Sequence, residues 1–521
     1  MSLPDDPLAI DLLWSRLIAT VNEQAAALMR TSFSSIVRDA GDLSAAAFDR
    51  RGRMVAQAVT GTPGHINSLA TGMRYVLDRY PVDTMAEGDV IVTNDPWKTA
   101  SQLHDLSVIT PMFHKGKLVA FFASCCHTPD IGGRGLSADA RSIHEEGLFI
   151  PIMKMMEKGK MNETFQAFFA ANVRTPLEGI KDLEAQMIGN QAGADQLASF
   201  LESAGLDDIE ALSDVITDRS EAAMRARVAE LEDGDYEAAL ACDGFEEPLT
   251  LKIRLAVRGN TITARYIDVP PRAEFGINVA LNYTAAYTLY GLKCALSPDI
   301  PNNDGALRPI IVDAPAGSLL AAEYPAAVCG RHMVGHYLPS LVFRALANAR
   351  PEAVLAGGYD ALWESHVFGD DDGTGAPFSF TWFSSGGGGA IHGLDGLSAT
   401  AFPSGVAATP IEVAEERAPL RFLHRKLREG SGGRGTWSGG LGQSIAFEIG
   451  GAGSVWYSGM YDRIKTTAPG LFGGEDGAAG SVVAEPGGEL SSKALHRLEP
   501  GTVIHLELPG GGGYGAPEDP V

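Results

Sequence analysis

A chain of 521 residues exceeds one ordinary hydrophobic core, so two or three domains or one large multi-layer unit are expected. Hydrophobic residues at 45% and charged residues at 20% describe a globular rather than a disordered protein. The formal charge of -24 argues against nucleic acid, whose phosphates need a basic surface, and leaves a local small-molecule site open.

No apolar run reaches the roughly 18 residues of a membrane span. The opening M-S-L-P-D-D-P lacks the basic and apolar regions of a signal peptide. Cys125, Cys126, Cys242, Cys294 and Cys329 follow no CxxC spacing, so reduced thiols in a cytoplasmic protein are expected.

Apolar residues at helical spacing (Leu12, Leu13, Leu17, Val21, Leu28) predict a helix over Pro7 to Phe33. The next segment reads as a hairpin turning at Asp49-Arg50-Arg51-Gly52, and Asp42 before it is a candidate ligand or a loop residue bonding its own backbone. His65 follows Gly61-Thr62-Pro63-Gly64 at the start of a second predicted helix.

Two runs rich in β-branched and aromatic residues, Leu106 to Phe113 and Leu118 to Ser124, flank the short His114-Lys115-Gly116-Lys117 turn and predict a β-hairpin. His104 and Asp105 stand at its start, and His127 and Asp130 at its end. An antiparallel pairing brings those ends together. A mixed imidazole and carboxylate set suits zinc, manganese or iron, and equally serves as a turn cap. Cys125 and Cys126 fall on opposite strand faces, which favours packing over redox work. Glu145 and Glu146 follow in S-I-H-E-E-G-L-F-I, as a solvated face, or with one of them supporting the site from behind or serving as a general base.

Residues 161–235 are helical in pattern, with breaks near Pro176 and Gly205. Alternation over Leu249 to Asp268 around Gly259-Asn260 is a hairpin signal. Helices are expected over Asn282 to Leu296 and His332 to Asn348. The final third is rich in glycine and strands. Gly430 to Gly435 fit G-x-G-x-x-G, but a strand-like run follows where a dinucleotide loop needs a helix, and no phosphate loop occurs elsewhere. The expected organisation is therefore mixed α/β in three parts: 1–160 with the candidate metal site, a helical segment 161–235, and a glycine-rich part 236–521.

The series N-D-P-W, L-H-D-L-S-V-I-T-P-M-F, C-H-T-P-D-I-G-G, E-E-G-L-F-I-P, D-I-P-N-N-D-G-A-L-R-P, G-S-G-G-R-G-T-W-S-G-G-L-G and the terminal G-G-G-G-Y-G-A-P resembles the hydantoinase B/oxoprolinase family across nearly the whole chain. The resemblance implies a large multi-layer fold and one subunit of a hetero-oligomer. Its hydantoinase A-type partner binds ATP and phosphorylates the substrate oxygen. The activated cyclic amide then meets water at a divalent metal in this subunit; ketone carboxylation and a non-catalytic scaffold are the alternatives. The family's metal set falls on Asp42, Gln102, Asp105 and His127, with Gln102 standing where the family usually has histidine. His104 is a candidate to compensate. Asp105, His127 and Glu146 are the expected catalytic residues, and His65 and Asp130 are expected to line or buttress the pocket.

Overall fold

A seven-stranded antiparallel sheet organises the N-terminal part. Its strands are β1 (Leu43–Asp49), β2 (Met54–Gln57), β3 (Val90–Thr93), β4 (Asp105–His114), β5 (Lys117–His127), β6 (Met153–Glu157) and β7 (Lys160–Met161), in the spatial order β2-β1-β5-β4-β3-β6-β7. The computed structural model describes residues 6–99, 101–370, 375–451 and 453–517; Met1 to Asp5, the start of the segment read for a leader, lies outside them. The predicted hairpin is β4-β5, turning through Lys115 and Gly116, both at positive φ as a two-residue turn of right-handed strands requires. Its register sets Asp105 opposite His127, while β1 pairs Leu43 with Cys126 on the other side.

The sheet is covered on one side by the helices Pro7–Thr31 and Pro176–Ala204. Leu17, Val21, Leu28, Leu197 and Leu201 from these helices pack with Leu43, Phe122 and Cys126 from the strands. Gly189 and Gly193 let the two helices and β5 approach, since a Cβ there would sit 2.8 Å from the Leu28 side chain and 2.6 Å from the Phe122 ring. On the opposite face lies the helix Pro63–Arg79, whose Ile66, Leu69, Met73 and Val76 meet Phe48, Phe121 and Cys125. Cys125 and Cys126 thus enter different apolar clusters, as the strand period requires.

A second sheet, in the order β11-β10-β9-β8, comprises β8 (Gly234–Cys242), β9 (Leu249–Arg258), β10 (Thr261–Tyr266) and β11 (Ile310–Asp313). It packs against the helices Leu281–Leu296 and Tyr337–Leu346. The single helix expected over His332 to Asn348 is two, His332–Gly335 and Tyr337–Leu346, with His336 between them. Pro339 lies in the first turn of the second, where its missing N–H leaves no ladder bond to Gly335.

The C-terminal part holds a four-stranded sheet, β13-β12-β16-β19, and a five-stranded one, β14-β15-β20-β17-β18. Its strands are β12 (Trp363–Gly369), β13 (Phe378–Ser384), β14 (Leu420–Leu427), β15 (Gln443–Ile449), β16 (Val455–Met460), β17 (Ser481–Glu485), β18 (Gly488–Glu489), β19 (Leu495–Leu498) and β20 (Val503–Glu507).

Between these strands run glycine segments that bond one another by backbone alone. Gly440 N–H donates to Gly388 C=O, Gly511 to Gly440 and Gly433 to Gly511, each at 2.8–2.9 Å. A Cβ on Gly387 would lie 1.9 Å from Gly440 O, and one on Gly511 the same distance from Gly388 O. Only residues without side chains allow backbones this close. Leu362, Phe383 and Val406 from this part join the apolar cluster of Leu43 and Cys126, so the end of the first sheet is closed over by the C-terminal part.

Candidate active site

The adjoining strand ends of β1, β5 and β4 deliver the first three side chains. Backbone bonds from His127 N–H to Asp42 C=O (3.2 Å) and from Thr128 N–H to His104 C=O (2.7 Å) extend the ladder past the named strands. Asp42, His127 and Asp105 therefore stand side by side. Asn94 of the N-D-P-W motif fixes the approach to β4. Its amide donates to Leu103 C=O and Leu148 C=O and its oxygen accepts from Ile150 N–H, at 2.6–2.9 Å. Ser101, at φ +80°, turns the chain so that Gln102 reaches inward.

Asp105 is the hub. Its Oδ1 accepts from Gln102 Nε2 at 3.1 Å and faces His127 Nδ1 at 3.2 Å. Its Oδ2 faces His65 Nε2 at 3.2 Å and accepts from Arg331 Nη2 at 2.5 Å. Burial alone would raise this carboxylate, but the fields of His65 and Arg331 and the hydrogen bond from His127 hold it well below its ordinary range. His65 Nδ1 lies 3.7 Å from Asp42 Oδ1, which also accepts from Thr62 Oγ1 at 2.9 Å.

Arg331, His332, His336, Tyr283 and Glu364 complete the site, and none of them was anticipated. Arg331 and His332 come from the turn entering the short helix, and Glu364 from the start of β12. The Arg331 guanidinium lies over the Tyr283 ring, 4.6 Å from its centre. That ring fits between two glycines: a Cβ on Gly64 or Gly335 would sit 2.3 or 2.4 Å from it. Tyr283 and Tyr287 hydroxyls both meet His336 Nε2, at 3.2 and 2.8 Å. Glu364 Oε1 lies 3.9 Å from His127 Nε2, and its Oε2 3.8 Å from His332 Nδ1. Burial pushes Glu364 up to about 7 and His332 down to about 3.

Together these side chains surround a chamber of about 30 Å³ lined by Asp42, Thr62, His65, Gln102, His127, Tyr283, Arg331, His332, His336 and Glu364, with Leu362, Phe383, Ser404 and Val406. That is room for one water molecule. Gln102 Oε1, His127 Nε2, His332 Nε2, Glu364 Oε1 and His65 Nδ1 are buried around it without a hydrogen-bond partner in the protein. Such a density of unpaired polar atoms is costly unless a polar guest shares them.

The other anticipated residues fall outside the lining. His104 does not compensate for Gln102: its ring stacks behind His127 at 5.4 Å, and neither ring nitrogen has a partner. Burial and the neighbouring His127 keep it well below the ordinary histidine range. Glu146 lies beneath the turn that carries Arg331, with Oε1 accepting from Val328 N–H (2.6 Å) and Cys329 N–H (2.8 Å). Burial pushes it up to about 8. It is a positioning residue. Asp130 accepts from Arg174 Nη1 at 2.6 Å and from Arg174 N–H, which pins the loop after β5.

The four expected metal ligands thus meet, but the set they form does not fit a divalent cation. Both oxygens of Asp105 are engaged, one of them by a buried guanidinium that already supplies a positive charge. An amide replaces imidazole at residue 102 and turns its nitrogen toward Asp105 and His127. Among the described residues no group of three or more His, Cys, Asp or Glu is placed to hold a metal ion.

Comparison with known proteins agrees with the architecture. The family model described as hydantoinase B/oxoprolinase matches residues 6–517. The caprolactamase subunit beta of Pseudomonas jessenii is 29% identical over 98% of this chain and 91% of its own length. The 5-oxoprolinase PfmaA of Pestalotiopsis fici is 29% identical over 98% of this chain, which spans 42% of that longer protein. The crystal structure of ATP-dependent caprolactamase from P. jessenii superposes with a TM-score of 0.87 at 26% identity, covering 98% of this chain and 91% of that one. A nucleotide-free acetone carboxylase structure shares the fold, with a TM-score of 0.86 at 18% identity, covering 98% of this chain and 76% of that one. No helix among the described residues is long and apolar enough to cross a membrane. With its motifs in order from one end to the other, the chain belongs to the hydantoinase B/oxoprolinase family.

Proposed function

We propose that this chain is the B-type subunit of an ATP-dependent cyclic amide hydrolase, acting on a substrate that an A-type partner has phosphorylated on its carbonyl oxygen. The observation that carries the reading is the one-water chamber, walled by Glu364, His127 and Gln102 and backed by the Asp105–Arg331 pair. Kinship over 98% of the chain with a caprolactamase beta subunit supports both the reaction class and the need for a partner.

A cyclic amide carbonyl is a poor electrophile because the ring nitrogen donates into it. With a phosphoryl group on its oxygen, the carbon accepts water to give a tetrahedral adduct. The ring C–N bond then breaks as the nitrogen takes a proton, and hydrolysis of the acyl phosphate left behind releases phosphate and the open-chain acid. Glu364, at about 7, exists in both protonation states at neutral pH and is suited to take the proton from a water in the chamber. His127 stands between Glu364 and Asp105 and orients that water. Arg331, whose Nε is buried and unpaired, offers a donor to the negatively charged phosphorylated oxygen as the adduct forms. No step requires a metal.

The test is co-purification with the A-type subunit and measurement of ATP consumption on cyclic amides and on ketones, each with and without bicarbonate. Consumption that follows ring opening and ignores bicarbonate is expected. Consumption that needs a ketone and bicarbonate overturns the hydrolase reading in favour of carboxylation.

A further inference from the structure

Arg331 is only 3% exposed, and more than its ion pair fixes where its charge sits. The turn that carries it is tied down by backbone groups. Val328 and Cys329 N–H donate to Glu146 Oε1, and Gly330 N–H donates to Gly276 C=O at 2.7 Å. A Cβ on Gly330 would lie 2.9 Å from the Ala138 Cβ, so the turn packs as closely as a glycine allows. The Tyr283 ring, itself wedged between Gly64 and Gly335, supports the guanidinium from below. A long side chain held on backbone, ring and carboxylate at once is a built feature of the fold.

That placement decides what else can stand on Asp105. A carboxylate has about four lone-pair sites. Here Oδ2 meets Arg331 Nη2 at 2.5 Å and His65 Nε2 at 3.2 Å, while Oδ1 meets Gln102 Nε2 at 3.1 Å and His127 Nδ1 at 3.2 Å. A divalent cation needs a carboxylate oxygen at about 2.0–2.2 Å, inside the shell these donors fill. It would also stand against the guanidinium charge in a site shielded from water. Gln102 suits this arrangement. Its amide donates to Asp105 without adding a charge, whereas a protonated imidazole at residue 102 would set another cation on the carboxylate that Arg331 already neutralises.

We propose that Arg331 is a built-in cation whose guanidinium holds the place on Asp105 that a divalent metal ion would need, with Gln102 as its matched amide, and that exchanging these two residues converts the centre into a metal site. Asp42, a histidine at residue 102, Asp105 and His127 would then supply the ligands, a mixed carboxylate and imidazole set that accepts manganese. Metal ion and guanidinium exclude each other in this view, since both draw on the same carboxylate. The inference stands on the geometry around Asp105 and is independent of the reaction that the complex carries out.

The test needs no activity: the full chain is titrated calorimetrically with manganese chloride, and its Tm is read with and without the metal. Wild type and Gln102→His are expected to show neither binding nor a shift in Tm. Gln102→His/Arg331→Met is expected to take up one equivalent at least about 100-fold more tightly than either. Its Tm should rise by at least about 2 °C at saturating metal, recovering part of what Arg331→Met loses. Adding His127→Ala to that pair should abolish the uptake. Gln102→His/Arg331→Lys keeps a cation at residue 331 and is expected to remain metal-free. If the Met pair is recovered only from manganese-supplemented medium, metal analysis of the purified chain replaces the titration, one equivalent supporting the proposal and none overturning it. Binding by wild type, by Gln102→His or by the Lys pair as tight as that of the Met pair overturns it, as does uptake that survives His127→Ala.

Discussion

Glu364 and Arg331 bear the chemistry of the chamber from opposite sides, and each yields a distinct expectation. Replacing Glu364 by glutamine keeps the shape and removes the base, so kcat should fall by about 10²–10⁴-fold. In the wild-type complex the acid limb of kcat/KM should follow a group near 7, the carboxyl raised by burial, with activity rising as it deprotonates; the Gln variant should lose that limb. Arg331→Met strands a buried carboxylate, so a loss of about 3–5 kcal/mol of stability is expected in a denaturant titration. Metal analysis of the active complex, prepared without chelator, should find no stoichiometric divalent cation in this subunit, and dialysis against a chelator should leave the ring-opening rate of the recombined complex unchanged once the magnesium used with ATP is restored. A bound equivalent of zinc, manganese or iron that survives in wild type and vanishes in His127→Ala would restore the metal reading.

At the scale of elements, the hairpin and its site residues were legible because they are local. The β-branched runs and the Lys115-Gly116 turn fix β4 against β5, and register alone places Asp105 opposite His127. Arg331 and Glu364 were not legible, since no periodicity links residue 105 to partners 226 and more positions away. His332 and His336, four residues apart, are the available signal, and the helix expected over His332 to Asn348 takes in both while leaving Arg331 outside it. Of the two roles the sequence allows Glu146 at the site, support or base, its hydrogen bonds match support: it braces the Arg331 turn. Gly64 on the helix Pro63–Arg79 admits the Tyr283 ring beneath Arg331. Gly64→Ala should therefore cost about 1–3 kcal/mol of stability, read by denaturant unfolding, and should lower turnover by displacing that ring.

For the whole molecule, buried titratable groups oppose one another across the pH scale. Glu146 is raised to about 8, and Glu178 and Glu364 to about 7, so the stability gained by keeping them protonated is lost as pH rises from about 4.5 to 8. His332 and His366, lowered to about 3, contribute stability above about 6.5 that is lost as pH falls toward 3. Tm should accordingly peak in weakly acidic to neutral buffer and decline on both sides; a monotonic profile would contradict these environments.

The glycine segments of the C-terminal part have a further meaning for how such a protein can change. Where Gly440 and Gly511 lie carbonyl to amide, there is no alphabet to spell with, because any second letter collides with a neighbouring stretch of backbone. That block can support but not discriminate. Adaptation to a new molecule has to be written into walls that still carry side chains, and residues such as Gln102, Tyr283 and Arg331 are where that text is open to revision.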